Sequence, residues 1–453
     1  MIQIKNKTVT EYLDQEYAKY GMYTLENRAI PSVIDGFKPT QRKIIYIADK
    51  VWKSGNEKPL KIFQLGGKIA ADAHYHHSDG SLNGAIIGMA QSFKNSLPLL
   101  EEIGQFGSLR SPEAGAPRYI STKLTSNFRL LYKDFELLEN QYEEGNMIEP
   151  KFFLPIIPTV LLNGSSGIAV GFATNILNRN PLDLVEACIK QLDGKKINKL
   201  LPWWKDYSGP VEQVNETTQY IMKGVYRVVN TTTVHITELP PSMTFQKYEA
   251  HLNSLQDRGI IYSYDDNSTD GINYTLKFAR ATLANLIAKG KLDQTLKMAE
   301  SQTENLTCLN ELGKLILFDD VSQVIEYFVN FRLSFYDKRK DYLIKKYSDD
   351  LVYLSNRARF IKLIIDGKLK VNNVPRVQIV ESLSKLKFDQ INGSYSYLLS
   401  MPIHSLTKET YEQLLNEVET KKTELEEIKK KLPKEMYKED LLELRKNIKL
   451  TLK

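Results

Sequence analysis

Cysteine is nearly missing: Cys188 and Cys308 are the only two in 453 residues. So few thiols exclude a disulfide framework and point to a reducing compartment. The first residues, Met1-Ile2-Gln3-Ile4-Lys5-Asn6-Lys7, lack the apolar core of a signal peptide, and no apolar run approaches the length of a membrane span. The expectation is a soluble protein of the cytoplasm. A phosphate-cradling P-loop is missing too, because Gly66-Gly67-Lys68-Ile69 has neither the upstream glycine spacing nor the following Ser or Thr. Asp-x-Asp occurs nowhere, and there is no internal repeat or low-complexity tract. His74 and His76 hint at a metal site. With cysteines missing and few carboxylates nearby in the chain, zinc is not expected and no metal ligand is assigned.

What is present is a chain long enough for two to four domains, with a modest net charge of +6. The charge is unevenly spread: residues 28 to 68 hold nine Lys/Arg against three Asp/Glu, an excess suited to a phosphate backbone. Thr40 to Trp52 carries Ile44, Ile45, Ile47, Ala48 and Val51 at helical spacing, with Arg42, Lys43 and Lys50 on other faces. Such a basic amphipathic helix is what a helix-turn-helix or winged-helix DNA reader needs. Thr159 to Leu162 reads as an apolar strand leading into a glycine-rich turn that holds Ile168, and Tyr226 to Thr237 reads as strands by its alternation and β-branched residues. From Val321 to Ile365 the pattern is helical and stops at Asp366-Gly367, a C-terminal glycine cap. At 1.5 Å per residue that helix spans roughly 65–70 Å. A second stretch from Thr407 to Leu432 sets Tyr411, Leu414, Val418, Leu425, Ile428 and Leu432 near a heptad, ended by Pro433. Two long helices bracketing a compact segment predict an antiparallel coiled-coil arm with a globular tip.

The chemistry centres on the run Gly115-Ala116-Pro117-Arg118-Tyr119-Ile120-Ser121-Thr122. An arginine directly before a tyrosine pairs a cation with a phenol that becomes a nucleophile once its proton leaves. Three other segments accompany it: Arg28 to Lys43, with Pro31, Asp35-Gly36, Lys38-Pro39 and Gln41-Arg42-Lys43; Tyr75-His76-His77-Ser78-Asp79-Gly80-Ser81; and Gly104-Gln105-Phe106-Gly107-Ser108. A last one runs from Pro155 through Pro158 and Asn163-Gly164 to Gly167-Ile168 and Gly171. In this order and spacing they resemble the DNA breakage-reunion subunit of type IIA DNA topoisomerases, over roughly residues 20 to 450. Tyr75-His76-His77, Gly104 to Gly107, Pro117-Arg118-Tyr119, Tyr397 to Pro402 and Tyr437 to Leu441 lean towards the eukaryotic enzymes. A short chain with such motifs is most similar to the medium subunits of T4-type bacteriophage topoisomerases. Two departures stand out: Ser78-Asp79-Gly80 replaces the usual Gly-(Glu/Asp)-Ala, and Ser165 to Gly171 is gyrase-like.

The resemblance implies an α+β, multidomain fold. Residues 1–27 would be an N-terminal arm, 28–154 a winged-helix domain carrying the tyrosine, and 155–320 a tower or shoulder domain of α/β type. Residues 321–367 and 405–453 would form the coiled-coil arm, with 368–404 as the exit-gate tip. It implies that Tyr119 attacks a DNA phosphodiester to leave a 5′-phosphotyrosyl link, with Arg118 favouring the phenolate and neutralising phosphoryl charge. The residues expected on DNA are Arg28, Lys38, Gln41, Arg42, Lys43, His76, His77, Ser81, Gln105, Ser108 and Ile168, the last as a wedge between base pairs. Without Asp-x-Asp there is no Toprim cluster, so Mg2+ and ATP are expected on a Toprim/ATPase partner subunit. Double-stranded DNA and a second copy of the chain are the other expected partners. Since the sequence ends just past the arm, without a wrapping domain, relaxation and decatenation are expected rather than supercoiling. The alternative is a non-catalytic winged-helix protein that binds and bends DNA.

Overall fold

The computed structural model describes residues 8–269 and 271–451. The first seven residues of the expected N-terminal arm lie outside them. The described chain divides into two compact units, one of Met1–Arg332 with Lys438–Lys453, the other of Leu333–Tyr437.

The first unit begins with a helical run over residues 9–29, with two wider turns at Leu13–Tyr17 and Leu25–Ala29. Thr8 starts it: its hydroxyl accepts from the Glu11 amide at 3.2 Å, and the Glu11 carboxylate accepts from the Thr8 amide at 2.9 Å. Helices follow at Pro39–Val51, Ile62–Asp72 and Asp79–Ala90. The first has the apolar stripe the sequence predicts, with Ile44, Ile45, Ile47 and Ala48 buried, and it opens on Pro39, whose missing N–H is harmless there.

One buried carboxylate ties this region together. Asp35 is fully buried and its two oxygens accept four hydrogen bonds: from Arg42 Nε at 2.7 Å, Arg42 Nη2 at 3.1 Å, the Phe37 amide at 3.1 Å and the Phe153 amide at 3.1 Å. Its carbonyl accepts from the Tyr132 hydroxyl at 3.1 Å and the Thr159 hydroxyl at 2.7 Å. Gly36 follows with φ +72°, and a Cβ there would lie 2.6 Å from the Val160 amide, so only glycine lets the two segments meet. Phe37 stacks on Tyr132 with ring centroids 5.4 Å apart, and Phe128 adds a third ring at 5.1 Å from Tyr132. Burial pushes the Tyr132 phenol well above its ordinary pKa.

Thr159–Leu162 is a short helix, not the predicted strand. All four residues are buried, and a short apolar run fits either state by pattern alone. The strand comes next: Ser165–Ile168 pairs antiparallel with Ala173–Ile176, so Ile168 ends a strand rather than sitting in the turn. Further on, an antiparallel four-stranded sheet has the order Val225–Asn230, Thr233–Glu238, Tyr274–Lys277, Ser263–Asp266. Helix Phe245–Asp257 covers it through Tyr248 and Leu252 against Val234, Ile236, Tyr274 and Leu276. The strands predicted within Tyr226 to Thr237 are its first pair. Cys188 and Cys308 are buried free thiols, and burial raises the latter to about 12.

The second unit takes the distal part of helix Val321–Ile365, which stops at Gly367 (φ +70°), whose amide donates to the Ile364 carbonyl at 3.0 Å. Helix Lys408–Lys430 runs antiparallel to it: Leu414 packs on Ala358 and Ile361, while Lys421 lies 4.5 Å over the Tyr347 ring. Leu414, Val418 and Leu425 are buried as the heptad predicts, but Leu432 is exposed. A small core of Phe360, Leu369, Ile379, Leu383, Phe388, Tyr395 and Leu398 closes the connecting segment. Helix Pro433–Thr451 does not continue as an arm: Lys438–Lys453 belongs to the first unit, where Leu441, Leu444 and Ile448 are buried and Lys438 Nζ reaches Asp193 at 2.9 Å.

Removing the charge of Asp35 would leave the Arg42 guanidinium buried without a counter-ion. Asp35→Asn is expected to lose about 3–5 kcal/mol of stability in urea unfolding, whereas a loss below about 1 kcal/mol would show that Arg42 finds another partner.

Candidate active site

The tyrosine stands on a tight turn braced from both sides. The Tyr119 amide donates to the Ala116 carbonyl at 2.8 Å, closing a four-residue turn with Pro117 at its second position. Ile120 is buried behind it, and Ser121–Thr122 pairs with Leu60–Lys61. Helix Ile62–Asp72 begins against this turn: its first two amides, of Ile62 and Phe63, donate to the carbonyls of Ile120 and Pro117 at 3.1 and 3.2 Å. Those amides would otherwise lack partners at a helix start. Lys61 Nζ donates to the Arg118 carbonyl at 2.9 Å, a brace the sequence did not single out. With the backbone so fixed, the Tyr119 side chain is 69% exposed, and the Arg118 guanidinium lies 5.0 Å from its ring centroid. Beside it, Gln105 is exposed and its carbonyl accepts from the Gly115 amide at 2.8 Å, while the Gln91 side chain donates to the buried Phe106 carbonyl at 2.7 Å. Ser108 closes its own turn with Ser111.

A second group gathers at the end of the helical run over residues 9–29. Arg28 Nη2 lies 3.4 Å from His77 Nδ1, and the Tyr23 hydroxyl 3.3 Å from His77 Nε2. Since a guanidinium only donates, Nδ1 accepts and the ring proton sits on Nε2, pointing to the Tyr23 oxygen. Partial burial, then the charges of Arg28 and His76, lower the His77 pKa and keep it neutral. Tyr23 was missed in the sequence; only its place five residues before Arg28 on one helix could have marked it. The hairpin of Ile168 leans on the same helix end. A Cβ on Gly167 would lie 2.1 Å from the Ala29 carbonyl, and Lys38 Nζ donates to the Ser166 carbonyl at 2.6 Å. Burial lowers the Lys38 pKa. Ala169 packs on Leu25, Ala29 and Ile30, whereas Ile168 is 89% exposed. An isoleucine that open, on a strand whose neighbours are pinned, is an apolar probe held out from the surface.

Four of the expected DNA ligands are otherwise engaged. Arg42 is 8% exposed and spends its guanidinium on Asp35. Lys43 Nζ donates to the Ala73 carbonyl at 2.6 Å and to the Glu149 carboxylate at 2.9 Å, which makes it a clamp between the end of helix Ile62–Asp72 and the strand Asn146–Pro150. Gln41 Oε1 accepts from the Lys38 amide at 3.0 Å and caps its helix, and Ser108 serves its local turn. Arg42 and Lys43 are thus spent on carboxylates in this structure: Glu149 comes from far along the chain, and Asp35 from the motif that holds Arg42 itself. Ser81, His76 and Arg28 are exposed.

Among the described residues, the group of His, Cys, Asp and Glu side chains close enough to share an ion is His74, His76 and Glu143. Two imidazoles do not suit Mg2+, which takes oxygen ligands in an octahedron. That trio therefore does not fit Mg2+. No described helix is long and apolar enough to cross a membrane.

With this geometry in hand, the comparisons decide the family. A family model of the A-type chain of DNA gyrase/topoisomerase IV matches residues 28–443. The chain belongs to that family. Its relatives include the DNA topoisomerase medium subunit of Enterobacteria phage T4, 34% identical over 98% of this chain and 100% of that one. The mitochondrial DNA topoisomerase 2 of Dictyostelium discoideum is 32% identical over 98% of this chain, which spans only 35% of that relative's length. The solved DNA-binding, cleavage and re-ligation domain of Plasmodium falciparum topoisomerase II matches with a TM-score of 0.87 at 32% identity, covering 97% of this chain and 65% of that one. The resemblance drawn from Pro117-Arg118-Tyr119 and its companion motifs is borne out, towards the eukaryotic enzymes as well as the phage protein.

For this topoisomerase chain the clamp assignment has a direct consequence. Lys43→Met is expected to leave the salt dependence of DNA binding unchanged, while Arg28→Ala lowers the slope of log K against log salt by about 0.9. Fluorescence anisotropy at a series of salt concentrations checks both, and a reduced slope for Lys43→Met would return that lysine to the DNA backbone.

Proposed function

We propose that this chain is the DNA-cleaving subunit of an ATP-dependent type IIA topoisomerase, with Tyr119 as the nucleophile. The single observation that carries the reading is the exposed phenol of Tyr119 on a braced turn, with a guanidinium over its ring. The Tyr119 oxygen forms a bond to a backbone phosphorus while the bond to the 3′-oxygen breaks. The phenol proton leaves, and the 3′-oxygen ends as a hydroxyl. One phosphoester replaces another, so the reverse attack by that hydroxyl reseals the strand without an outside energy source. Attack needs the phenolate, and Arg118 is the group beside it able to favour that form and meet the phosphoryl oxygens. Arg28, Lys38 and His77 would hold the backbone near Ile168. Ile168 would enter the base stack, its unstacking cost offset by contacts that the kinked duplex makes.

In this reading residues 28–154 act as a winged-helix domain, the four-stranded sheet region as the tower, and the antiparallel helices with their small core as a coiled-coil arm ending in an exit gate. Two copies of the chain would cut opposite strands of one duplex, relaxing and decatenating DNA. Mg2+ and ATP would be held by a Toprim/ATPase partner, since the described residues offer no hard-oxygen cluster for the metal. The compartment would be the cytoplasm of the host cell.

The test is a detergent-stopped cleavage reaction with the partner subunits, Mg2+ and supercoiled plasmid. A 5′-linked adduct that peptide mapping assigns to Tyr119, lost in Tyr119→Phe and without the partner, is the expected result. DNA binding and bending with no adduct would instead mark a non-catalytic bending protein. Ile168→Ala is expected to reduce the bend angle measured by fluorescence transfer without changing the thermal melt; an unaltered angle would remove the wedge.

A further inference from the structure

The loop that carries His77 also carries two imidazoles the cleavage reading leaves unused as a pair. His74 is half-buried with φ +49°, His76 is exposed, and a carboxylate from a distant hairpin meets them: His76 Nε2 and Glu143 Oε1 are 3.4 Å apart. The ligand atoms of His74, His76 and Glu143 all lie within 4.8 Å of one another. We infer that these three side chains form a binding site for a divalent cation of the zinc class.

Three physical arguments support the assignment. The first is spacing. Ligands at zinc bond lengths of about 2.0–2.2 Å in a tetrahedron stand about 3.4 Å apart. The His76–Glu143 pair already has that separation, and the His74 ligand atom lies within 4.8 Å of both. The second is donor type. Two imidazole nitrogens with one carboxylate suit Zn2+, Co2+ or Ni2+ and suit Mg2+ poorly, so the site would discriminate against the cation that type II cleavage uses. Three protein ligands also leave a fourth position open to water.

The frame also exists without the ion. Glu143 sits on the hairpin Asn140–Glu143 with Asn146–Pro150. That hairpin is bound to helix Pro39–Val51 through the Tyr46 hydroxyl, which donates to the Met147 carbonyl at 3.1 Å. Lys43 joins the same hairpin, through Glu149, to the carbonyl of Ala73, the residue just before His74. The lysine that gave up its expected phosphate therefore holds both halves of the site in register. A bound ion would add a cross-link at the outer edge of that clamp and fix the loop on which His77 meets Arg28.

The test uses the whole chain with Co2+ and Zn2+ alone, in chelator-free buffer and without DNA. Saturation at one Co2+ per chain is expected, with the intense visible absorption of a low-coordinate Co2+ site, displaced by Zn2+. His74→Asn and Glu143→Gln should each weaken binding by at least the 10–100-fold, roughly, that losing even an outer-shell partner costs. Asparagine tolerates the positive φ at position 74, and matching far-UV circular dichroism would show that each variant is folded. No saturable Co2+ binding in the parent chain, or binding and a spectrum that survive both substitutions, would overturn the site and leave an ion pair between His76 and Glu143.

Discussion

The buried Asp35–Arg42 pair is the constraint on which the rest of the cleavage region depends. A carboxylate with no exposure is tolerable only if its charge is met and its lone pairs are filled, and here four donors from three segments do so. Each donor is a statement about geometry. Arg42 fixes the rotation of helix Pro39–Val51, the Phe37 amide shapes the turn before it, and the Phe153 amide draws in a chain segment far along the sequence. The carbonyl of the same residue then secures Tyr132 and the start of the helix that precedes the Ile168 hairpin. A hydrophobic contact could hold these pieces together, but it would not fix their register. Directional bonds to one buried charge do.

Lys43 repeats the principle at the surface. It lies next to Arg42 in sequence and reaches a helix end and a hairpin instead, so two adjacent cations organise two sides of one helix. Together they withdraw two of the nine cations of residues 28–68 from solvent. Arg28, Lys50, Lys53, Lys58, Lys61 and Lys68 are exposed; Arg28 rests on an imidazole, Lys61 on a backbone carbonyl and Lys50 on an aromatic face.

What the sequence disclosed was whatever depends on neighbours within a turn or two. The stripe of Ile44, Ile45 and Ile47, the stop at Gly367 and the paired strands inside Tyr226 to Thr237 are local periodicities, and each stands in the structure. The motif around Tyr119 was legible for another reason: its order of residues resembles a family whose chemistry needs it. What failed was long-range. Thr159–Leu162 is helical where its pattern allowed either state, and the Thr159 hydroxyl bonds to the carbonyl of Asp35, which no window around it contains. Lys43 was assigned to phosphate because Glu149 lies far along the chain, whereas the partner of Arg42, Asp35, stood in the same motif and went unread. Leu432 fits the heptad by spacing, yet the helix has already ended at Lys430. The carboxylates missing around His74 in sequence were supplied by Glu143 across a hairpin.

The arrangement of Arg118 over Tyr119 can be weighed by magnitudes. Both side chains are exposed, and a cation over an exposed aromatic face is worth about 0.5–1 kcal/mol. Charge-assisted hydrogen bonds from a guanidinium to an anionic oxygen are worth about 1.5–3 kcal/mol. The ring contact therefore loses to a phosphate whenever one comes within reach. It still shortens the path of the guanidinium, because a side chain resting on the ring is already ordered close to where the phosphoryl oxygens would sit in the proposed attack. The backbone cannot drift meanwhile, since the Arg118 carbonyl is held by Lys61 and the turn by the first amides of helix Ile62–Asp72. The rigid part of this site is its main chain, and the part left free to exchange partners is the one charge that DNA would claim.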